Sequence, residues 1–120
     1  MISDYVVARG RIVKVAGVLD KKVYDTNGNI YPEEVVCEVP LTKEVFEVNG
    51  YEPKCEVGGI VYVKEFKNGG DIHARFDGGC LYPKVSVRRG MSIFIGEVQS
   101  WAAFCEILKS CGFKEDFRCV

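Results

Sequence analysis

The sequence contains no apolar run of the roughly 18 residues that a membrane-spanning helix needs. It also has little excess charge, because 16 lysines and arginines stand against 17 acidic residues for a formal net charge of -1. A near-neutral balance makes no general case for nucleic acid or an anionic membrane as a partner. Residues 1–5 lack the basic and apolar regions of a secretion signal. We therefore expect a cytoplasmic protein with no membrane partner.

Metal-binding motifs are missing as well. The six cysteines are Cys37, Cys55, Cys80, Cys105, Cys111 and Cys119. No two of them form the Cys-x-x-Cys pair that usually supplies two zinc ligands from one tight turn, so we expect no metal site and no cofactor. Without a secretion signal the cysteines are expected to stay reduced and, where buried, to pack as small hydrophobic residues.

Catalytic machinery is sparse. His73 is the only histidine, so any serine or cysteine nucleophile activated by histidine must use it. The sequence has no Gly-x-Ser-x-Gly nucleophile turn and no paired histidines for a catalytic metal. We assign no catalytic residue and favour a protein that is not an enzyme.

Most of the chain has the pattern of antiparallel β structure. Short runs rich in Val, Ile, Tyr and Phe, separated by Gly, Asn, Asp or Pro, predict strands across residues 4–96. Asn27 and Gly28 predict a tight hairpin turn. From Tyr5 to Val15 the apolar positions change parity near Gly10, which predicts one long strand bent by a β-bulge.

Two later segments combine apolar and polar residues. Residues 43–48 mix charged with apolar residues, stop at Asn49-Gly50, and are predicted to form a strand. In residues 72–77 the even-numbered residues are apolar and the odd-numbered ones are polar, so they are expected to occupy opposite faces of a strand.

The C-terminal region changes to a helical period. Its apolar stripe consists of Trp101, Phe104, Cys105, Leu108 and Cys111. This spacing predicts an amphipathic helix over about residues 100–111, with Ser100 as the N-cap. Gly112 stands where a left-handed residue ends a helix, and Phe113 is expected to complete a Schellman ending.

These patterns predict an α+β fold that is mainly antiparallel β. So many short strands do not fit one flat layer, so we expect a curled sheet, a barrel or a sandwich, with the one C-terminal amphipathic helix packed on it. A length of 120 residues is typical of one domain. We therefore treat residues 1–120 as a single domain that ends in a tail, residues 113–120.

One polar cluster predicts a ligand site. If the segments that carry His73, Arg75 and the Arg88-Arg89 pair form neighbouring strands, their guanidinium groups converge on a phosphate or carboxylate. Aromatic side chains near in sequence are able to stack on a base or ring. The candidate ligand-binding residues are His73, Arg75, Tyr82, Arg88, Arg89 and Trp101. The alternative is a solvated sheet face that carries weak ion pairs.

The leading functional hypothesis is a non-enzymatic intracellular binding module that holds a small, nucleotide-like anion or caps a partner protein. Its small size and lack of motifs also suit an inhibitor encoded by a phage or mobile element, and exposed strand edges favour a homo-oligomer. One alternative is a small hydrolase or transferase that uses His73 with an arginine clamp. The others are a single-stranded nucleic-acid binder and a structural component of a larger assembly.

Overall fold

The structure, a computed structural model, describes residues 5–67 and 69–113. The chain divides into two compact units, one ending at Pro40 and the other beginning at Leu41. Each unit has its own five-stranded antiparallel sheet, and neither sheet closes into a barrel. The α+β, mainly antiparallel fold is therefore confirmed. The single-domain assignment stays a prediction, and residues 114–120 of the predicted tail lie outside the described residues.

The first unit is a sheet in the order β4-β3-β2-β1-β5. Its elements are β1 (Tyr5–Ala8), β2 (Arg11–Leu19), β3 (Lys22–Asp25), β4 (Ile30–Pro32), a 3₁₀ turn (Glu33–Val35) and β5 (Val36–Glu38). Four consecutive strands form a meander, and β5 then pairs with the free side of β1.

The prediction of one bent strand from Tyr5 to Val15 is wrong, because the chain reverses after β1. Arg9 and Gly10 both have positive φ angles, 52° and 76°, and connect β1 to β2 as a two-residue hairpin turn. The parity change near Gly10 therefore reflects a reversal of the chain. A register shift does occur, but it lies further along, between Val15 and Gly17.

The predicted Asn27-Gly28 turn joins β3 to β4, and buried Asp25 organises it. The Asp25 carboxylate accepts hydrogen bonds from the backbone N–H groups of Asn27 and Asn29, at 2.9 and 2.8 Å. It also accepts from the Asn29 amide and the Tyr31 hydroxyl. Burial acts to raise the pKa of the Asp25 carboxyl, but these hydrogen bonds outweigh it and hold the pKa below its ordinary value.

The second unit is a meander in the order β10-β9-β8-β7-β6, combined with two helices. Its elements are α1 (Lys43–Val48), β6 (Glu52–Glu56), β7 (Gly59–Glu65), β8 (Asp71–Asp77), β9 (Lys84–Arg89), β10 (Ser92–Glu97) and α2 (Trp101–Ser110). Within the described part of the chain, no helix has both the length and the apolar character needed to cross a membrane.

Residues 43–48, predicted as a strand, form the helix α1 instead. Its buried residues, Val45 and Phe46, are adjacent in sequence, so the segment does not divide into two alternating faces. Six residues are too few to separate a period of 2.0 from a period of 3.6, and packing decides the conformation. The ring of Phe46 is fully buried and contacts four other aromatic rings: Tyr51 after α1, Tyr62 on β7, Phe76 on β8 and Phe104 on α2.

The predicted C-terminal helix is confirmed together with both of its ends. The Ser100 hydroxyl accepts a hydrogen bond from the Ala103 N–H at 3.1 Å. At the other end Gly112 has a φ angle of 86°, its N–H donates to Lys109, and the Phe113 N–H donates to Leu108. These two bonds define a Schellman motif.

The N-cap bond of α2 leads to a stability prediction. We expect Ser100→Ala to lower the free energy of unfolding by about 1 kcal/mol, because the Ala103 N–H loses its acceptor. Ser110→Ala, at the exposed end of the same helix, is the matched control and is expected to leave stability nearly unchanged. Urea denaturation measures both variants, and equal unfolding midpoints for S100A and wild type would contradict the prediction.

Tyr62 provides a pH-dependent prediction. Burial, reinforced by the 2.8 Å hydrogen bond to Glu47, raises the pKa of Tyr62 to about 12. Its contribution to stability is therefore fully present below the unfolded tyrosine pKa of about 10 and is lost as pH rises through about 12. Ultraviolet difference titration follows tyrosine ionisation with pH. We expect wild type to show a late ionisation step that is absent from Tyr62→Phe. The variant should also lose less stability between pH 10 and 12.

Candidate functional site

His73 and Arg75, the candidate ligand residues on β8, lie on the face of the second sheet that is turned away from the core. Burial alternates strictly along β8: the even-numbered residues 72, 74 and 76 are buried, and the odd-numbered residues are half-buried. We call the face that carries the odd-numbered residues of β8 the open face. In register across it, Asp71 pairs with Arg88 and His73 pairs with Ser86.

A shallow depression of about 470 Å³ lies on the open face. Side chains that line it include His73, Arg75, Ser86, Arg88 and Ile95. The structure therefore brings three of the six candidate ligand residues into one depression. Acidic side chains line the same depression and decide what its arginines are able to bind.

Arg75 donates three hydrogen bonds to neighbours within the unit. Its Nε donates to Asp77 at 2.5 Å, Nη1 donates to Glu56 at 2.7 Å, and Nη2 donates to the carbonyl oxygen of Val57 at 3.0 Å. The hydrogen bond to Asp77 is the main cause of a raised Arg75 pKa. The guanidinium thus holds the turn between β6 and β7, and two carboxylates balance its charge.

Arg88 is engaged in the same way by Asp71. Its Nε and Nη2 donate to the two carboxylate oxygens at 3.3 and 3.0 Å, which is a bidentate pair. This hydrogen bonding from Arg88 holds the pKa of the Asp71 carboxyl below its ordinary value. His73 approaches the same carboxylate, with Nε2 at 3.6 Å from Oδ1. An anion that binds the Nε and Nη2 donors of Arg88 therefore has to displace Asp71.

The other three candidate ligand residues do not line the depression. Trp101 is only 5% exposed, so its ring belongs to the core and has no face available for stacking on a base. Arg89 lies over the ring of Phe113, with its guanidinium carbon 5.5 Å from the ring centroid. Tyr82 lies in the loop before β9.

His73 and the cysteines are the residues considered for catalytic or metal chemistry. His73 faces Asp71 and is opposite Ser86, yet among the described residues no hydrogen bond joins His73 to Ser86. The described residues also contain no group of three or more His, Cys, Asp or Glu side chains able to hold a metal ion. Cys37, Cys55 and Cys80 are exposed thiols, each on a different element or loop.

Sequence reasoning missed exposed apolar residues next to this depression. Ile93 and Ile95 lie on β10, opposite Arg88 and Ser86, and are 63% and 76% exposed. Met91, in the turn before β10, is 99% exposed. The alternation of residues 92–97 shows that both isoleucines share a face, but it does not show that their strand lies at the edge of the sheet.

The two edges of this sheet differ in chemistry. β6, at one edge, is exposed over its whole length and contains Pro53, which has no N–H, and the charged residues Glu52, Lys54 and Glu56. β10, at the other edge, contains no proline and no basic residue, and its one charge is Glu97 at the end. Proline and charge on an edge strand oppose pairing with another chain. Only the β6 edge has this protection.

No family model, no curated protein and no solved structure matches this chain.

The engagement of Arg88 leads to a binding prediction. We expect Asp71→Asn to bind inorganic phosphate more tightly than wild type, because the substitution removes the charged competitor for the guanidinium fork. Glu65→Gln is the matched control, since Glu65 is an exposed carboxylate opposite Asp71 in the sheet. Chemical-shift titration of ¹⁵N-labelled protein measures the affinity. Equal phosphate affinity in wild type and D71N would contradict the prediction.

Proposed function

We propose that the protein is a non-enzymatic cytoplasmic binding module that pairs an extended segment of a partner polypeptide with the unprotected edge of β10. The observation that carries this proposal is the exposure of Ile93 and Ile95 on an edge strand that lacks proline and lysine. Capping a partner strand in this way would let the module block an assembly that needs that strand.

Strand addition uses two features that β10 offers. No described strand pairs with its outer side, so alternate backbone N–H and C=O groups along six residues are available as a hydrogen-bonding template. A strand laid there would place every second side chain beside Ile93 and Ile95 on the open face. Backbone hydrogen bonds then supply affinity, and the isoleucines select apolar residues at alternate positions.

A polypeptide is favoured over a small anion because of the ion pairs on the open face. Arg75 and Arg88 each donate at least two hydrogen bonds to carboxylates of the same sheet. A phosphate that takes over the Nε and Nη2 donors of Arg88 has to displace Asp71 and expose that carboxylate, which offsets much of the gain in free energy. Burying Ile93 and Ile95, in contrast, removes apolar surface from water without breaking any ion pair.

A peptide selection tests the proposal. We expect a phage-displayed library of random 12-residue peptides, selected on the wild-type protein, to enrich sequences in which apolar residues alternate. The enriched peptides should bind Ile95→Lys at least tenfold more weakly, because a lysine at position 95 replaces an apolar contact with a charge. Val57→Lys, at a 96% exposed position in the turn between β6 and β7, is the matched control.

Two results would contradict the proposal. One is a selection that enriches no peptide above background on the wild-type protein. The other is a set of enriched peptides that bind wild type, I95K and V57K with equal affinity, which would place their site away from β10.

A further inference from the structure

We infer that the partner best fitted to β10 is a second copy of the same chain, paired antiparallel about a two-fold axis at Phe94. This inference rests on the proposed function and names its partner. In such a dimer the two five-stranded sheets of the second units join into one ten-stranded sheet through a β10 to β10 seam. Two-fold pairing of identical edges is the commonest symmetry of homo-oligomers and closes without leaving the same edge free.

The spacing of the two isoleucines makes β10 self-complementary. In an antiparallel pair centred on Phe94, Ile93 of each copy lies directly opposite Ile95 of the other. Directly opposed residues share a face, so the four isoleucines meet as one apolar cluster on the open face. The exposed apolar surface of Ile93 and Ile95 is therefore covered by the same surface of the second copy.

The charge of β10 does not oppose this pairing. Glu97, its one charged residue, lies opposite Lys84 of β9 in its own sheet. Pairing about Phe94 joins residues 92–96 of the two copies, and these residues carry no charge, so no like charges face each other across the seam.

The size of the seam sets the expected strength. In the register centred on Phe94, five residues of each β10, residues 92–96, pair with the same residues of the other copy, whereas standard stable interfaces involve roughly 20–30 residues on each side. The dimer is therefore reversible and concentration-dependent. Because the backbone groups of β10 are the template both for a second copy and for a foreign strand, self-pairing and peptide binding compete.

Sedimentation velocity of the full chain across a thousandfold concentration range tests the inference. We expect the wild-type protein to shift from a 13.4 kDa monomer to a dimer as concentration rises. Ile95→Lys should dissociate at least tenfold more readily, while V57K should match wild type. An enriched peptide from the selection above should also shift the equilibrium toward monomer.

A pair of double variants tests the register. Ile93→Glu combined with Ile95→Lys places the introduced glutamate of each copy opposite the introduced lysine of the other, giving two ion pairs across the seam. Ile93→Glu combined with Ile95→Glu places glutamate opposite glutamate. We expect the first variant to dimerise in a salt-sensitive manner and the second to remain monomeric, although both lose the same isoleucines.

The outcomes separate this inference from the proposed function. A wild-type protein that stays monomeric at every concentration but still enriches alternating peptides overturns the second copy as partner and leaves strand binding intact. Equal weakening of the dimer by I95K and V57K also overturns the inference. So does equal dimerisation of the two double variants. A monomer whose outer β10 amides resist hydrogen exchange identifies a segment of the same chain as the occupant and overturns it too.

Discussion

The ring of Phe46 contacts four other aromatic rings, with centroid separations from 5.1 to 5.9 Å. Those rings come from α2, from β7 and β8, and from the segment that follows α1, so this one cluster ties both helices to one face of the second sheet. Aromatic pairs in edge-on arrangements contribute beyond their buried area, and Phe46 joins the cluster from the helix α1. The position of this cluster determines which face of the sheet is buried and which face carries the polar side chains.

Because one face of the sheet is committed to the aromatic core, its polar side chains are gathered on the other face by the pleat alone. There the strand register places Asp71 opposite Arg88, while Glu56 and Asp77 lie within reach of Arg75. Close arginine and carboxylate side chains satisfy each other more readily than they bind a separate ligand. The guanidinium groups of Arg75 and Arg88 on the open face are thus paired with carboxylates of the same sheet, and the exposed apolar residues of this face are Ile93 and Ile95.

The meander topology explains why that apolar feature matters. A sheet whose strands are joined in order has its first and last strands at its edges, so β6 and β10 each leave one side without a strand partner in the described part of the chain. Proline and alternating charge make β6 a poor template, while β10 keeps both its hydrogen-bonding groups and exposed isoleucines. Natural monomers usually protect both edges, so β10 is the edge of this sheet that is suited to pair with a further strand.

Local chemistry determined several elements from the sequence alone. Ser100, Gly112 and Phe113 predicted both ends of α2, Asn27 and Gly28 predicted their hairpin, and alternation predicted which residues of β8 face the core, because each signal acts within a few residues. Tertiary structure decided what depends on distant partners. Packing around Phe46 selected a helix for residues 43–48, the register across β8 and β9 determined that Arg88 meets Asp71, and the order of the strands placed Ile93 and Ile95 at an edge. Burial of Trp101 followed from the same packing, since a helical stripe shows which residues share a face but not how completely that face is covered.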